Sequence, residues 1–368
     1  MRIFFPFIVV ILLFTACNKD ETTSDFIWNK SYGTGNAKSV CILNDTLIIA
    51  CGQVDDKPFL VSLHRDYKER TLINPDYNGL FSSCYTDTSG FFIAGSKSNA
   101  LLITHYDLGG SFAWEDTVKT GFNVESARLL SVNSGLLAIA TPDPDSLDNG
   151  DTGYMFVKFD TASRIIRKKK ITAPGRYISV ADAVTDNAGN IYLALTYKTP
   201  GLKSYSAVAA YSADLSLLWE STIFNNRAFT SAALAIETDG TNKVFAGGKT
   251  ENSTQNGTMV NSFLVALNIN NGNLSGDWPQ KRYLELWNEG SSIIKDNNTL
   301  LYLNKNCFIV NEINPSNGTD VDLLRPFSLC VSESTDSFSS DFAIHEDNKL
   351  IIAGSQAGNF SLCVKVFR

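Results

Sequence analysis

Three histidines in 368 residues leave little material for acid–base or metal chemistry. Histidine is the side chain whose ordinary pKa lies nearest neutrality, and His64, His105 and His345 form no His-x-x-x-His pair. Cys-x-x-Cys spacing is missing too, so zinc has no ligand set. His64 and His105 stand at equivalent places near the ends of two neighbouring repeats' third strands, which makes them structural repeats rather than a converging pair. Charge is scarce at 19% of residues, and the formal balance is −7. Nucleic-acid binders show a basic face that releases counterions from phosphate. This chain has a single basic run, Arg164–Lys170, best read as an outer strand whose lysines protect an edge. Nucleic acid is therefore excluded as a partner. Core material, by contrast, is plentiful: 44% hydrophobic residues, 23 Phe and 13 Tyr exclude disorder and coiled coil. Length alone favours two domains, an expectation that a repeat would overturn.

The first 16 residues read as a signal peptide. Arg2 supplies the charge, and Ile3–Phe14 is an apolar stretch too short to cross a bilayer. Leu13–Cys17 resembles a bacterial lipobox, which implies that Cys17 is lipidated and becomes the first residue. Asn18–Glu21, a lysine followed by two acids, resembles the surface-export signal of Bacteroidota lipoproteins. These resemblances imply an outer-membrane protein, lipid-anchored and facing the cell exterior, with 17–25 as a tether and 26–368 as the folded body. Losing Arg2 moves the net charge from −7 to −8. The body then touches the membrane through its lipid only.

One unit recurs along that body. Its second strands are very apolar and close in Ala or Gly: Leu47–Gly52, Phe91–Gly95, Leu136–Ala140, Ile191–Leu195, Val244–Gly248, Leu300–Leu303 and Leu350–Gly354. Before most of them stands a tight Asp/Asn/Gly turn, such as Asn44-Asp45 or Asp186–Gly189, because these residues tolerate the positive φ of a hairpin. Third strands follow the same rule, from Phe59–Leu63 to Leu362–Phe367, and fourth strands often carry Trp, as at Trp114, Trp219 and Trp278. The spacing of about 50 residues suits four-stranded blades. The seventh unit stops after its third strand, whereas Phe26–Tyr32 looks like a fourth strand placed first. The expected fold is all-β: a single seven-bladed β-propeller of four-stranded antiparallel blades, closed by 26–32 pairing with 360–367.

The pattern resembles bacterial propeller repeats of the PQQ-like and SBBP-like type. It lacks the Gly-His and Trp-Asp pairing of WD repeats, and the diglycine of kelch units occurs once, at Gly247-Gly248. No quinone-binding residues carry over, and no cofactor is expected. Cys41, Cys51, Cys84, Cys307, Cys330 and Cys363 fall mostly in apolar strands and are expected as mostly reduced thiols, with Cys41 and Cys84 at equivalent first-strand positions; their even number in an exported chain also permits disulfides, a bridge at Cys330 among them. The acidic insertion within 141–153 lacks EF-hand spacing and reads as a solvated loop, so no metal ligand is assigned. Asp145–Leu147 resembles an acceptor for O-glycans on exported Bacteroidota proteins.

Loops entering each innermost strand share a face with the insertions at 141–153, 196–205 and 249–262. Aromatic residues with amide or guanidinium neighbours stand in these entry loops: Tyr77, Asn78, Phe122, Arg176, Tyr177, Asn226, Arg227 and Trp287. Rings supply contact area and polar groups fix orientation, a composition suited to sugar or peptide. The expected function is non-catalytic binding of a glycan or protein through this face by a monomeric propeller, with no catalytic residue assigned. The alternatives are a structural subunit of an outer-membrane complex or a carbohydrate-active lyase or glycosidase. The enzyme needs matched carboxylates in the central funnel.

Overall fold

The computed structural model describes residues 26–132, 135–143, 153–160, 165–173, 176–198, 203–224, 230–254, 257–278, 282–286, 290–296, 299–304, 309–319, 321, 338–345, 349–356 and 358–366. Every regular element among them is a β-strand.

Unit 1 holds β1 (Phe26–Leu43), β2 (Leu47–Val54), β3 (Lys57–His64) and β4 (Glu69–Ile73). Type I′-like geometry joins them tightly: Asn44 and Asp45 sit at φ of 49° and 51°, Asp55 and Asp56 at 50° and 60°. Unit 2 repeats the plan with β5 (Gly79–Asp87), β6 (Gly90–Lys97), β7 (Ala100–Asp107) and β8 (Phe112–Val118). Units 3 and 4 follow as β9 (Val124–Val132), β10 (Gly135–Pro142), β11 (Gly153–Phe159), β12 (Ile165–Thr172), then β13 (Tyr177–Thr185), β14 (Ile191–Lys198), β15 (Tyr205–Tyr211), β16 (Leu217–Thr222). Unit 5 has β17 (Thr230–Thr238), β18 (Lys243–Thr254), β19 (Gly257–Asn268) and β20 (Arg282–Leu286). Unit 6 shows three strands among the described residues, β21 (Gly290–Asp296), β22 (Thr299–Asn304) and β23 (Ile309–Ile313), and unit 7 has β24 (Phe338–His345), β25 (Lys349–Gln356) and β26 (Asn359–Val366).

These strands make six sheets, because β1 is one continuous strand with two partners. Its first half pairs with β26 from Phe26↔Lys365 to Thr34↔Asn359, and its second half pairs with β2. First and last units therefore share one seven-stranded sheet. The N-terminal and C-terminal segments are joined as the sequence led us to expect. Trp28, Trp114 and Trp219 lie in outermost strands, but Trp278 sits in the turn before β20.

Middle strands are buried on both faces, as in β2 and β6, so they read as unbroken apolar runs. Seven apolar clusters form among the described residues, each between two neighbouring units. The cluster joining units 7 and 1 sets Phe360 and Leu362 against Tyr32, Phe59 and Val61. Each buried side chain of this size contributes about 1.5–3 kcal/mol, so the stability lies between the units. The innermost strands stand side by side in chain order: β1 beside β5, then β9, β13, β17, β21 and β24, which returns to β1. Six of these seven carry a bulge at a corresponding place, at Ala37/Ser39, Phe81/Ser83, Val180/Asp182, Ala233/Ala235, Gly290/Ser292 and Ser339/Asp341. Bulges sharpen twist and re-aim the next side chain.

Candidate functional site

Innermost strands that diverge around an axis cannot ladder to one another, so their N–H groups need other acceptors. The residue after the bulge supplies one in four of the six bulged strands. Ser39 Oγ accepts from the Cys84 N–H at 3.4 Å, and Ser83 Oγ from the Leu129 N–H at 3.2 Å. Asp182 Oδ2 accepts from the Ile236 N–H at 3.0 Å, and Asp341 Oδ2 from the Val40 N–H at 3.1 Å and the Ser39 hydroxyl at 3.0 Å. In unit 3 the place is taken by Arg128, whose guanidinium reaches the carbonyls of Ser82, at 2.9 Å, and Ala181. A polar cavity of about 170 Å³ is lined by Lys38, Ser83, Arg128, Asp182, Ser292 and Asp341 among others. Burial pushes the Asp341 carboxyl up to about 6 and Glu237 to about 7; Asp182 is raised as well, with Arg128 opposing.

Cys84 borders the same cavity. Because Ser39 and Ser83 both follow bulges, Cys84 is level with Val40; Cys41 lies one residue further, which corrects the expected equivalence of the two cysteines. Cys41, Cys51, Cys84 and Cys363 are free thiols, and burial pushes Cys41 and Cys51 well up. Cys307 and Cys330 lie outside the described residues. No group of three His, Cys, Asp or Glu among the described residues is placed to hold a metal ion.

On the loop face, the entry-loop aromatics are spread along successive junctions. Tyr77 packs on the cluster between units 1 and 2, with Lys97 Nζ 4.5 Å from its ring centre. Asn78 is exposed, and its carbonyl accepts from the Ser98 N–H. Phe122 packs on the cluster between units 2 and 3 beneath Lys170, 5.8 Å away. Tyr177 is buried, its hydroxyl 2.8 Å from Glu125 Oε2 and 3.1 Å from the Pro142 carbonyl, and burial with Glu125 raises its pKa. Arg176 is exposed and donates to the Tyr205 hydroxyl at 3.0 Å. Cys17, Asn226, Arg227, Trp287 and the acidic residues 144–152 lie outside the described residues.

Two residues that sequence reasoning missed join Arg176. Tyr197 and Tyr205 pair across β14 and β15, their rings stacked at 5.0 Å and 8°. The signal was present as a tyrosine at either end of the insertion at 196–205. The insertion at 249–262 is an extension of β18 and β19, which pair through to Thr254↔Gly257, beyond the last β17–β18 pair at Thr230↔Glu251. The basic run forms β12, the outermost strand of its sheet, where Arg167 and Lys169 donate to the carbonyls of Asp214 and Leu215 in the next unit.

No protein-family model matches the chain, and no curated protein does. Solved structures do. The β-propeller domain of Cps50 (Swd1) from Myceliophteria thermophila aligns over 93% of this chain and 99% of its own, with TM-score 0.55 and 10% identity. The fold is a β-propeller. Polysaccharide lyase Uly1 aligns over 98% of this chain and 95% of its own, with TM-score 0.56 and 10% identity. Drosophila Plexin A, in complex with Semaphorin 1b, gives 0.58 and 9% over 93% of this chain and 87% of its own. At such identities the likeness concerns the fold alone, since propellers host unrelated functions.

Proposed function

We propose that the protein is an outer-membrane lipoprotein facing the cell exterior, whose seven-bladed, closed propeller of PQQ-like or SBBP-like repeats binds a glycan or protein through its loop face. The observation that carries this reading is the difference between the two faces. Both faces have tight turns, Asn44-Asp45 on one and Asp55-Asp56 and Ser98-Asn99 on the other, but the second alone carries the extended β18–β19 hairpin and the Arg176–Tyr205–Tyr197 group among the described residues. A guanidinium fixed beside stacked rings offers flat contact area with directed donors. Screening the full chain on a glycan array, with R176A/Y205A as the comparison, tests it. Glycan binding lost in the variant supports the reading; a ligand held equally by both places it elsewhere. The lipid anchor is tested separately, by C17S moving the protein from the membrane to the soluble fraction.

A carbohydrate-active enzyme is the second reading, favoured by Asp182, Glu237 and Asp341 in the centre and consistent with the lyase sharing the fold. Main-chain N–H groups reach all three, Ile236 to Asp182, Val40 to Asp341 and Thr238 to Glu237 at 2.8 Å; Glu237, which burial pushes up to about 7, is the acid to test. Polysaccharide depolymerisation abolished by E237Q would favour the enzyme.

A further inference from the structure

The junction between units 2 and 3 is built differently near the turn face. On unit 2, Tyr85 stands opposite Phe92, Phe92 opposite His105 and His105 opposite Trp114, one residue from each strand. Directly opposed residues share a face, so an aromatic row crosses the whole sheet. Phe92 and His105 stack at 4.3 Å and 12°, with Trp114 tilted 6.1 Å and 5.6 Å from them. A cavity of about 170 Å³ separates this row from unit 3, lined by Tyr85, Phe92, Trp114, Phe159, Asp87 and Asp160 among others. Neither lysine nor arginine is found in its described lining. Asp87 takes the N–H and hydroxyl of Ser89 on Oδ1, at 2.7 and 2.6 Å, leaving Oδ2 without a hydrogen bond among the described residues. Burial lowers the His105 pKa, which keeps the imidazole uncharged at neutral pH.

Corresponding corners elsewhere are filled by the next unit's turn between third and fourth strands. Trp219 donates from Nε1 to the Ile269 carbonyl at 2.9 Å, with Gly272 against its ring; Trp278 donates to the Pro315 carbonyl at 2.7 Å; Trp28 stacks on Tyr67 at 5.8 Å. At Trp114 the described residue of that turn is Asp160, which lines the cavity. Among the described residues the Trp114 N–H meets no acceptor.

We propose that this cavity binds an alkylammonium group, a lysine side chain or its methylated form. Ring faces attract a cation when it is partly desolvated, and the Asp87 carboxylate supplies the opposite charge. The volume lies below the roughly 300 Å³ of ordinary small-molecule sites, which suits a side-chain-sized group. The site lies on the face opposite the loops and does not rest on the glycan or protein reading above.

The test is calorimetric titration of the full chain with Nα-acetyl-lysine methylamide, its Nε-trimethyl form and the neutral Nα-acetyl-norleucine methylamide. Saturable binding of a cationic probe at millimolar concentration is expected, on the order of tenfold weaker for norleucine. D87N, which keeps the Oδ1 acceptor and hence the turn, should weaken the cation on the order of tenfold, and W114L should abolish binding while thermal melting shows both variants folded. Norleucine binding as tightly as lysine would overturn the proposal. So would unchanged affinity in folded D87N and W114L, or no saturable binding of either cation.

Discussion

The junction between units 4 and 5 and the junction between units 2 and 3 are built from the same four-strand repeat and differ at both ends. At the inner end, a carboxylate, Asp182, receives the Ile236 N–H in the first, and a neutral hydroxyl, Ser83, receives the Leu129 N–H in the second. At the outer end, Trp219 is covered by Gly272 and bonded to the Ile269 carbonyl, whereas Trp114 borders a void. Both arrangements satisfy the backbone, which is what the repeat must do. Among the described residues the strands repeat one plan, and the two junctions differ in what covers the tryptophan.

The largest expected effect breaks the sealed corner. Gly272 has φ of 70°, and a Cβ there would lie 2.4 Å from Trp219 Cε3. Gly272→Ala should therefore cost about 3 kcal/mol in urea unfolding, from backbone strain and overpacking together. Gly276, a few residues on with nothing near its Cβ, should tolerate alanine within about 0.5 kcal/mol. Trp219→Ala comes next, at about 3 kcal/mol, since it removes packing and leaves the Ile269 carbonyl without its donor. Trp114→Ala should cost about half as much, because the ring already faces a cavity on one side.

Smaller effects sharpen the inner ends. Ser83→Ala leaves the Leu129 N–H without its acceptor and should cost about 1–2 kcal/mol. Asp182 adds a pH dependence that Ser83 does not. Its folded pKa is raised above the ordinary 3.8, first by burial. A raised pKa means that protonation favours the folded state, so its contribution is fully present below the ordinary value and is lost as pH rises through the folded one. Unfolding midpoints at intervals from pH 4 upward should show wild type declining relative to Asp182→Asn. Equal slopes would contradict the burial of that carboxyl.

Much of the architecture was legible. The runs Leu47–Gly52 and Phe91–Gly95 became middle strands, and the strand-like Phe26–Tyr32 pairs with β26, because strand periodicity and turn chemistry are local properties. The bulges were not legible. An extra residue in an innermost strand leaves the apolar pattern intact, and register is equally hidden: Cys41 and Cys84 looked equivalent, although with the two bulges at matching places Cys84 is level with Val40. The loop-face aromatics were found by composition, but their placement at successive junctions depends on what the neighbouring unit offers: a hydrophobic cluster beneath Tyr77, a carboxylate beside Tyr177. The aromatic row from Tyr85 to Trp114 needed register, and the cavity beside it needed the next unit's turn. Single strands do not encode either.

Hydroxyl-radical footprinting of Trp28, Trp114, Trp219 and Trp278, four of the five tryptophans, with and without Nα-acetyl-lysine methylamide, measures the comparison directly. The account predicts that Trp114 oxidises faster than Trp219 and is protected by the lysine probe, while Trp219 is unchanged. Equal oxidation of Trp114 and Trp219, with no protection by the probe, would contradict it.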